Sequence, residues 1–168
     1  MVKTMGHYHI RVEKDHTGFS AAHFITYDGH ACEELHGHNY RVAAGLEGAL
    51  DENAYVFNFV PLKHMLRDIV NRIDHKMLLA RDNPLLRIEM DGESVVVDYS
   101  AKRKHYVFPR VEVVLLPIPN TTAEMLATWL CGQLRESLRA HDARNLRSIE
   151  IEVEESAGQR AFYREEWT

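Results

Sequence analysis

Apolar and polar residues alternate from Gly6 to Lys14, with Tyr8, Ile10 and Val12 on one face and His7, His9, Arg11 and Glu13 on the other. A period of two predicts a half-buried strand. Phe19 to Ile25 continues it after the break at Thr17-Gly18. A further strand is expected over 39–47, ending near Gly48, with a turn at Asp51-Glu52-Asn53. Val56 to Phe59 is too short to assign by itself. The period then changes. Pro61 suits the first turn of a helix, and Leu62, Met65, Leu66, Ile69, Val70 and Ile73 recur at helical spacing, with an end expected near Asp74.

Residues 80–92, with Asn83-Pro84 and Asp91-Gly92, are expected to form a loop. Ser94–Tyr99 and His105–Phe108 flank the basic turn Ala101-Lys102-Arg103-Lys104 and predict a hairpin, followed by a short strand over Val111–Leu116. A second helix opens at Asn120-Thr121-Thr122-Ala123-Glu124, where the threonine and Glu124 resemble a capping box. Ala123, Leu126, Ala127, Leu130, Leu134 and Leu138 form its apolar stripe. Alternation returns over Arg147–Glu155, with Ile149, Ile151 and Val153 opposite Glu150, Glu152 and Glu154. Two helices among antiparallel-type strands predict an α+β class. No repeat or flexible linker divides residues 1–168, so one domain is expected. Two helices leave sheet edges open, and assembly into a closed ring of sheets would cover them.

Composition narrows the function. Hydrophobic residues are 45% and charged residues 27% of the 168 residues, an ordinary globular balance. Twenty basic against 25 acidic residues give −5, which argues against sequence-independent nucleic-acid binding. No apolar run is long enough to cross a bilayer, so no membrane association is expected. The first residues lack the apolar core of a signal peptide, and only Cys32 and Cys131 occur. A cytoplasmic, reducing location is therefore expected.

Histidine is the abundant exception. Eleven occur, five of them (His16, His23, His30, His36, His38) close together in sequence. In His23-x12-His36-Gly37-His38, His36 and His38 share one side of a strand, and His23 from a neighbouring strand would supply a third nitrogen. Three nitrogens with an open position suit catalytic zinc. Spacing by itself does not separate ligands from solvated histidines, since His7 and His9 have the same separation. His16 and His30 read as solvated. Cys32 lies in a polar loop just before His36 and suits a base or nucleophile. Cys131 reads as a small buried hydrophobe. Asp74-His75 suits either proton transfer or a contact at the end of a helix.

Phe19-Ser20-Ala21-Ala22-His23, the run from Cys32 to Tyr40, Asn58–Lys63, Ile73–Lys76, Asn120–Glu124 and Val153–Ser156 occur in order along most of the chain. Together they resemble the 6-pyruvoyl-tetrahydropterin synthase / 6-carboxy-tetrahydropterin synthase family. The resemblance implies the tunnelling fold: an antiparallel four-stranded sheet backed by two helices, joined in trimers that stack into hexamers. It implies Zn²⁺ on His23, His36 and His38, with Cys32 as the catalytic cysteine. Asp74 and His75 would share its proton transfers from a neighbouring subunit. Glu155 would anchor the pterin ring, and Thr122 would lie in the pterin-contacting segment. The implied substrate is 7,8-dihydroneopterin triphosphate, with the metal acting as a Lewis acid on its side-chain hydroxyls.

Three departures bear on the product. Residues about 80–116 form an insertion, whose Lys102-Arg103-Lys104 turn is either a surface loop or a basic lid for the triphosphate. Cys-x3-His-Gly-His matches the carboxy-forming enzymes of the queuosine pathway. Glu33 and Glu34 follow the cysteine, and a folate-pathway subgroup uses a glutamate near there. The leading expectation is 6-carboxy-5,6,7,8-tetrahydropterin. The alternatives are the 6-pyruvoyl product, cleavage to 6-hydroxymethyl-dihydropterin, and a non-catalytic pterin- or purine-binding homolog.

Overall fold

A computed structural model describes residues 6–99 and 103–167. The opening alternation becomes β1 (Tyr8–Glu13), a short 3₁₀ turn, and β2 (Phe19–His23). Two short strands, β3 (Thr26–Tyr27) and β4 (Ala31–Cys32), pair with each other and lead into the long β5 (His36–Gly48). β5 starts three residues earlier than the apolar pattern predicts, because its first turns carry histidines rather than aliphatic side chains. Its beginning pairs antiparallel with β2 and its end with β1, so the two act as one broken strand.

Helix α1 (Phe59–Val70) is capped by the Asn58 side chain, which accepts from the Val60 amide at 2.8 Å. It ends at Val70, and turns carry the chain to Asp74. β6 (Lys76–Ala80) follows. Then β7 (Arg87–Asp91), β8 (Ser94–Tyr99) and β9 (Lys104–Pro109) form a separate three-stranded antiparallel sheet. The expected loop at 80–92 thus supplies a strand, and the inserted hairpin is a meander. Ala101 and Lys102 of its basic turn lie outside the described residues. β10 (Val113–Leu116) precedes α2 (Ala123–Leu138). Thr122 caps α2 by accepting from the Met125 amide at 3.4 Å. Met125 holds the third helical position, so Glu124 falls one residue short of a capping box.

β11 (Leu146–Ser156) and β12 (Gln159–Glu166) complete the chain. The broken β1/β2 strand, β5, β11 and β12 make the four-stranded antiparallel core of the sheet. β6 and β10 extend it beyond β2 with parallel pairings, giving seven strands in all. The structure is therefore α+β as predicted, with a wider and mixed sheet. β12 escapes the sequence reading because Arg160, Arg164, Glu165 and Glu166 make this edge strand resemble a polar tail.

Both helices pack on one face. Their apolar stripes meet Tyr40, Val42, Ala44 and Leu46 of β5 and Ile149, Ile151 and Val153 of β11. The opposite face carries ion pairs, including Arg160 with Glu152 at 3.3 Å and with Glu154 at 3.2 Å. These pairings explain why Glu152 and Glu154 are buried despite lying on the polar side of the alternation. Ile151 is fully buried at the centre of the core. Ile151→Ala is expected to cost about 2–5 kcal/mol, read as a lower urea midpoint with an unchanged slope.

Candidate active site

The core face of the sheet continues into a polar end. Phe19, Ala21 and His23 of β2 and Tyr40, His38 and His36 of β5 lie on one side, with His23 directly opposite His36. Gly37 faces away, and a Cβ there would lie 3.0 Å from the Ala21 carbonyl oxygen. The three imidazoles offer nitrogens within 4.8 Å of one another, the one such cluster among the described residues. His23 is buried, and its Nδ1 lies 3.0 Å from the Thr121 carbonyl oxygen. Nδ1 of His36 lies 2.8 Å from the Glu34 carbonyl oxygen. A carbonyl only accepts, so each Nδ1 carries the proton and each Nε2 keeps its lone pair for a ligand. Backbone carbonyls commonly orient metal-bound histidines in this way. Burial also pushes His23 below the ordinary histidine pKa, favouring the neutral, ligating form. The donor set suits zinc: three imidazole nitrogens from protein, with room for a further ligand.

Glu155 completes this end. A bulge between Glu154 and Ser156 interrupts the pairing of β11 with β12. Glu155 Oε1 lies 3.6 Å from His23 Nε2 and 3.9 Å from His38 Nε2. The Tyr40 hydroxyl stands 3.1 Å from His23 Nε2 and donates to Glu155 at 3.3 Å. Burial, reinforced by the Glu155 charge, drives the Tyr40 pKa far above normal, so the phenol stays a donor. Tyr40 is absent from the sequence-based site, though its place two residues beyond His38 signals the same face. The histidines, Glu155, Thr122 and Glu33 line a cavity of about 760 Å³.

The other expected residues lie elsewhere in the chain. Cys32 is buried in a second apolar cluster with Phe24, Met77, Leu79, Val95 and Val97. Glu33, not Cys32, lines the histidine cavity, with Oε2 3.9 Å from His36 Nε2. Asp74 and His75 line another cavity with Ser20 and Asn39, and His75 also borders one that His38 lines. Asp74 Oδ1 accepts from the Ser20 amide at 2.8 Å, and the His75 amide donates back to the Ser20 carbonyl at 2.6 Å. His75 itself has φ of 55°, a strained conformation for a non-glycine residue. The His7–His9 pair is spent differently: His7 contacts Arg147, and the His9 ring packs over Gly45.

A family model described as 6-pyruvoyl tetrahydropterin synthase matches residues 11–166. The chain belongs to that family. A Methanocaldococcus jannaschii protein named as a 6-carboxy-5,6,7,8-tetrahydropterin synthase is 33% identical over 148 residues, covering 87% of this chain and 88% of its own. A Pyrococcus horikoshii protein of the same name is 30% identical, covering 80% and 78%. The structure of a Plasmodium vivax 6-pyruvoyltetrahydropterin synthase superposes with a TM-score of 0.90 at 28% identity, covering 96% of this chain and 99% of that one. That structure is of a variant in which a catalytic residue, a glutamate, is replaced by alanine.

In this member of the synthase family the inserted meander reaches the site region. Val95, Val97 and Tyr99 share the apolar cluster that buries Cys32, and Lys104, the first residue of β9, turns inward. Its Nζ donates to the Glu33 carbonyl at 2.7 Å and meets Glu34 Oε1 at 3.0 Å. Burial works against the ammonium, but Glu34 and nearby groups outweigh it and raise the Lys104 pKa. Lys104 is thus turned inward, where a surface loop and a basic lid would both place it outward. Arg103 is exposed.

Proposed function

We propose that this chain is a zinc-dependent lyase that converts 7,8-dihydroneopterin triphosphate to 6-carboxy-5,6,7,8-tetrahydropterin for queuosine-type 7-deazapurine biosynthesis. The observation that carries the reading is one cavity holding His23, His36, His38 and the Glu155 carboxylate. Zn²⁺ on the three histidines would supply Lewis-acid chemistry at the side chain of the pterin. Glu155 accepts hydrogen bonds from the pterin amino and ring N–H groups, for which a two-oxygen acceptor is suited. Thr122, at the α2 cap, borders the ring. Cys32, once turned out of the apolar cluster that buries it here, removes a side-chain proton as thiolate, and His75, oriented by Asp74, returns one. Because Asp74 and His75 line a different cavity from Glu155, the complete site needs a neighbouring subunit. A trimer, or a hexamer of two trimers, supplies it and covers the edge strand β12. The buried Cys32 thiol suits a reducing cytoplasm.

A second reading, side-chain cleavage to 6-hydroxymethyl-dihydropterin, is favoured by one observation: Glu33 faces the histidine cavity whereas Cys32 does not. The catalytic glutamate named for the Plasmodium vivax 6-pyruvoyltetrahydropterin synthase supports a carboxylate as the reacting group, without bearing on the product. Mass spectrometry of products from the purified zinc-loaded chain and dihydroneopterin triphosphate separates the two. The expected product is 6-carboxy-tetrahydropterin. A 6-hydroxymethyl product would replace it with the second reading, and recovery of unchanged substrate would defeat both.

A further inference from the structure

The segment Cys32-Glu33-Glu34 carries both groups that compete for the role of base, and the inserted meander holds part of its backbone. Cys32 pairs with Thr26 in a two-residue ladder, and the Glu33 amide donates to the Ile25 carbonyl at 2.9 Å. The Glu34 carbonyl meets His36 Nδ1 at 2.8 Å, while the Cys32 and Glu33 carbonyls face the inserted meander. There the Lys104 ammonium, with a side chain only 12% exposed, donates to the Glu33 carbonyl at 2.7 Å and reaches the Cys32 carbonyl at 3.5 Å. Glu34 closes the same ammonium from the solvent side at 3.0 Å. A lysine presents three donors, and here each has an oxygen near it. The main-chain contacts fall on the two carbonyls that bracket Glu33. Cys32 faces the apolar cluster and Glu33 faces His36, so holding the peptides on either side of Glu33 holds both orientations.

We infer that Lys104 is a positioning residue: the inserted meander clamps the Cys32–Glu34 segment from outside the main sheet and fixes how its two reactive side chains are presented. This rests on the pterin-synthase reading for its kinetic arm only. Catalytic groups tolerate little displacement, and about 1 Å of misplacement can cost a hundredfold in rate. A contact with substrate phosphates would instead act on ground and transition states alike and raise KM.

The test compares the full-length zinc-loaded chain with Lys104→Met and Lys104→Arg. Lys104→Met is expected to lower kcat by ~10- to 100-fold with KM within ~3-fold and zinc content unchanged. Iodoacetamide labelling of Cys32, resolved by peptide mass spectrometry, is expected to speed up ~10-fold as the segment opens more often, while Cys131 on α2 stays protected. Lys104→Arg, which keeps a charged donor, is expected to restore both toward wild type. If Lys104→Met does not fold, Lys104→Gln carries the same readouts. Wild-type kcat and labelling in the variant would overturn the inference, as would a rise in KM alone. The labelling arm needs no substrate, so a chain inactive on pterin would sink the proposed function and still decide the role of Lys104.

Discussion

Replacing His36 and His38 together by alanine is expected to strip the metal and to lower turnover by ~10³-fold or more. A Lewis acid supplies several kcal/mol of charge stabilisation, and each ~1.4 kcal/mol is tenfold in rate. The two side chains are half-buried at the rim of the core rather than within it, so the fold should survive their truncation. Elemental analysis and steady-state kinetics on the same preparation read the result, with circular dichroism to confirm folding. Stoichiometric zinc retained by the double variant would remove the ion from this site. The pair His7 and His9 would be a poor substitute, because the His9 ring lies against Gly45 and His7 against Arg147.

Cys32→Ala is expected to abolish formation of 6-carboxy-tetrahydropterin while zinc remains bound, because loss of a positioned base costs 10²–10⁴-fold, roughly, in rate. Glu33→Gln and Glu34→Gln are each expected to keep most of the activity. The opposite pattern would be decisive. An active Cys32→Ala with an inactive Glu33→Gln would make the carboxylate facing His36 the reacting group and 6-hydroxymethyl-dihydropterin the product. Paired product analysis of the variants by mass spectrometry distinguishes these outcomes, since the two products differ in mass.

Residues that act through a local period were readable from the chain. His36 and His38 sit two apart on one strand, and the structure puts both on the same face as Tyr40 and Val42. Both helices were legible because their apolar stripes are long and their caps, Asn58 and Thr122, are polar residues of the right kind. β12 was not, since an edge strand facing solvent has little apolar signal to show. The parallel pairing of β6 with β2 and β10 was equally hidden, because it joins segments far apart in sequence through backbone bonds alone. Lys104 marks another limit. A lysine in a basic turn reads as solvated, and only packing of the meander against Cys32 reveals that its amine turns inward.

The two hydrogen bonds between Ser20 and the Asp74-His75 turn give β2 a mechanical role. Three residues further along the same strand, about 10 Å away at ordinary strand rise, stands His23. In the proposed ring, His23 serves its own subunit's metal and the Asp74-His75 turn serves the neighbour's substrate. β2 is then a short beam resting on two reaction centres at once. The spacing of the two is then set by the backbone of β2 and its pairing with β5, not by side-chain rotamers.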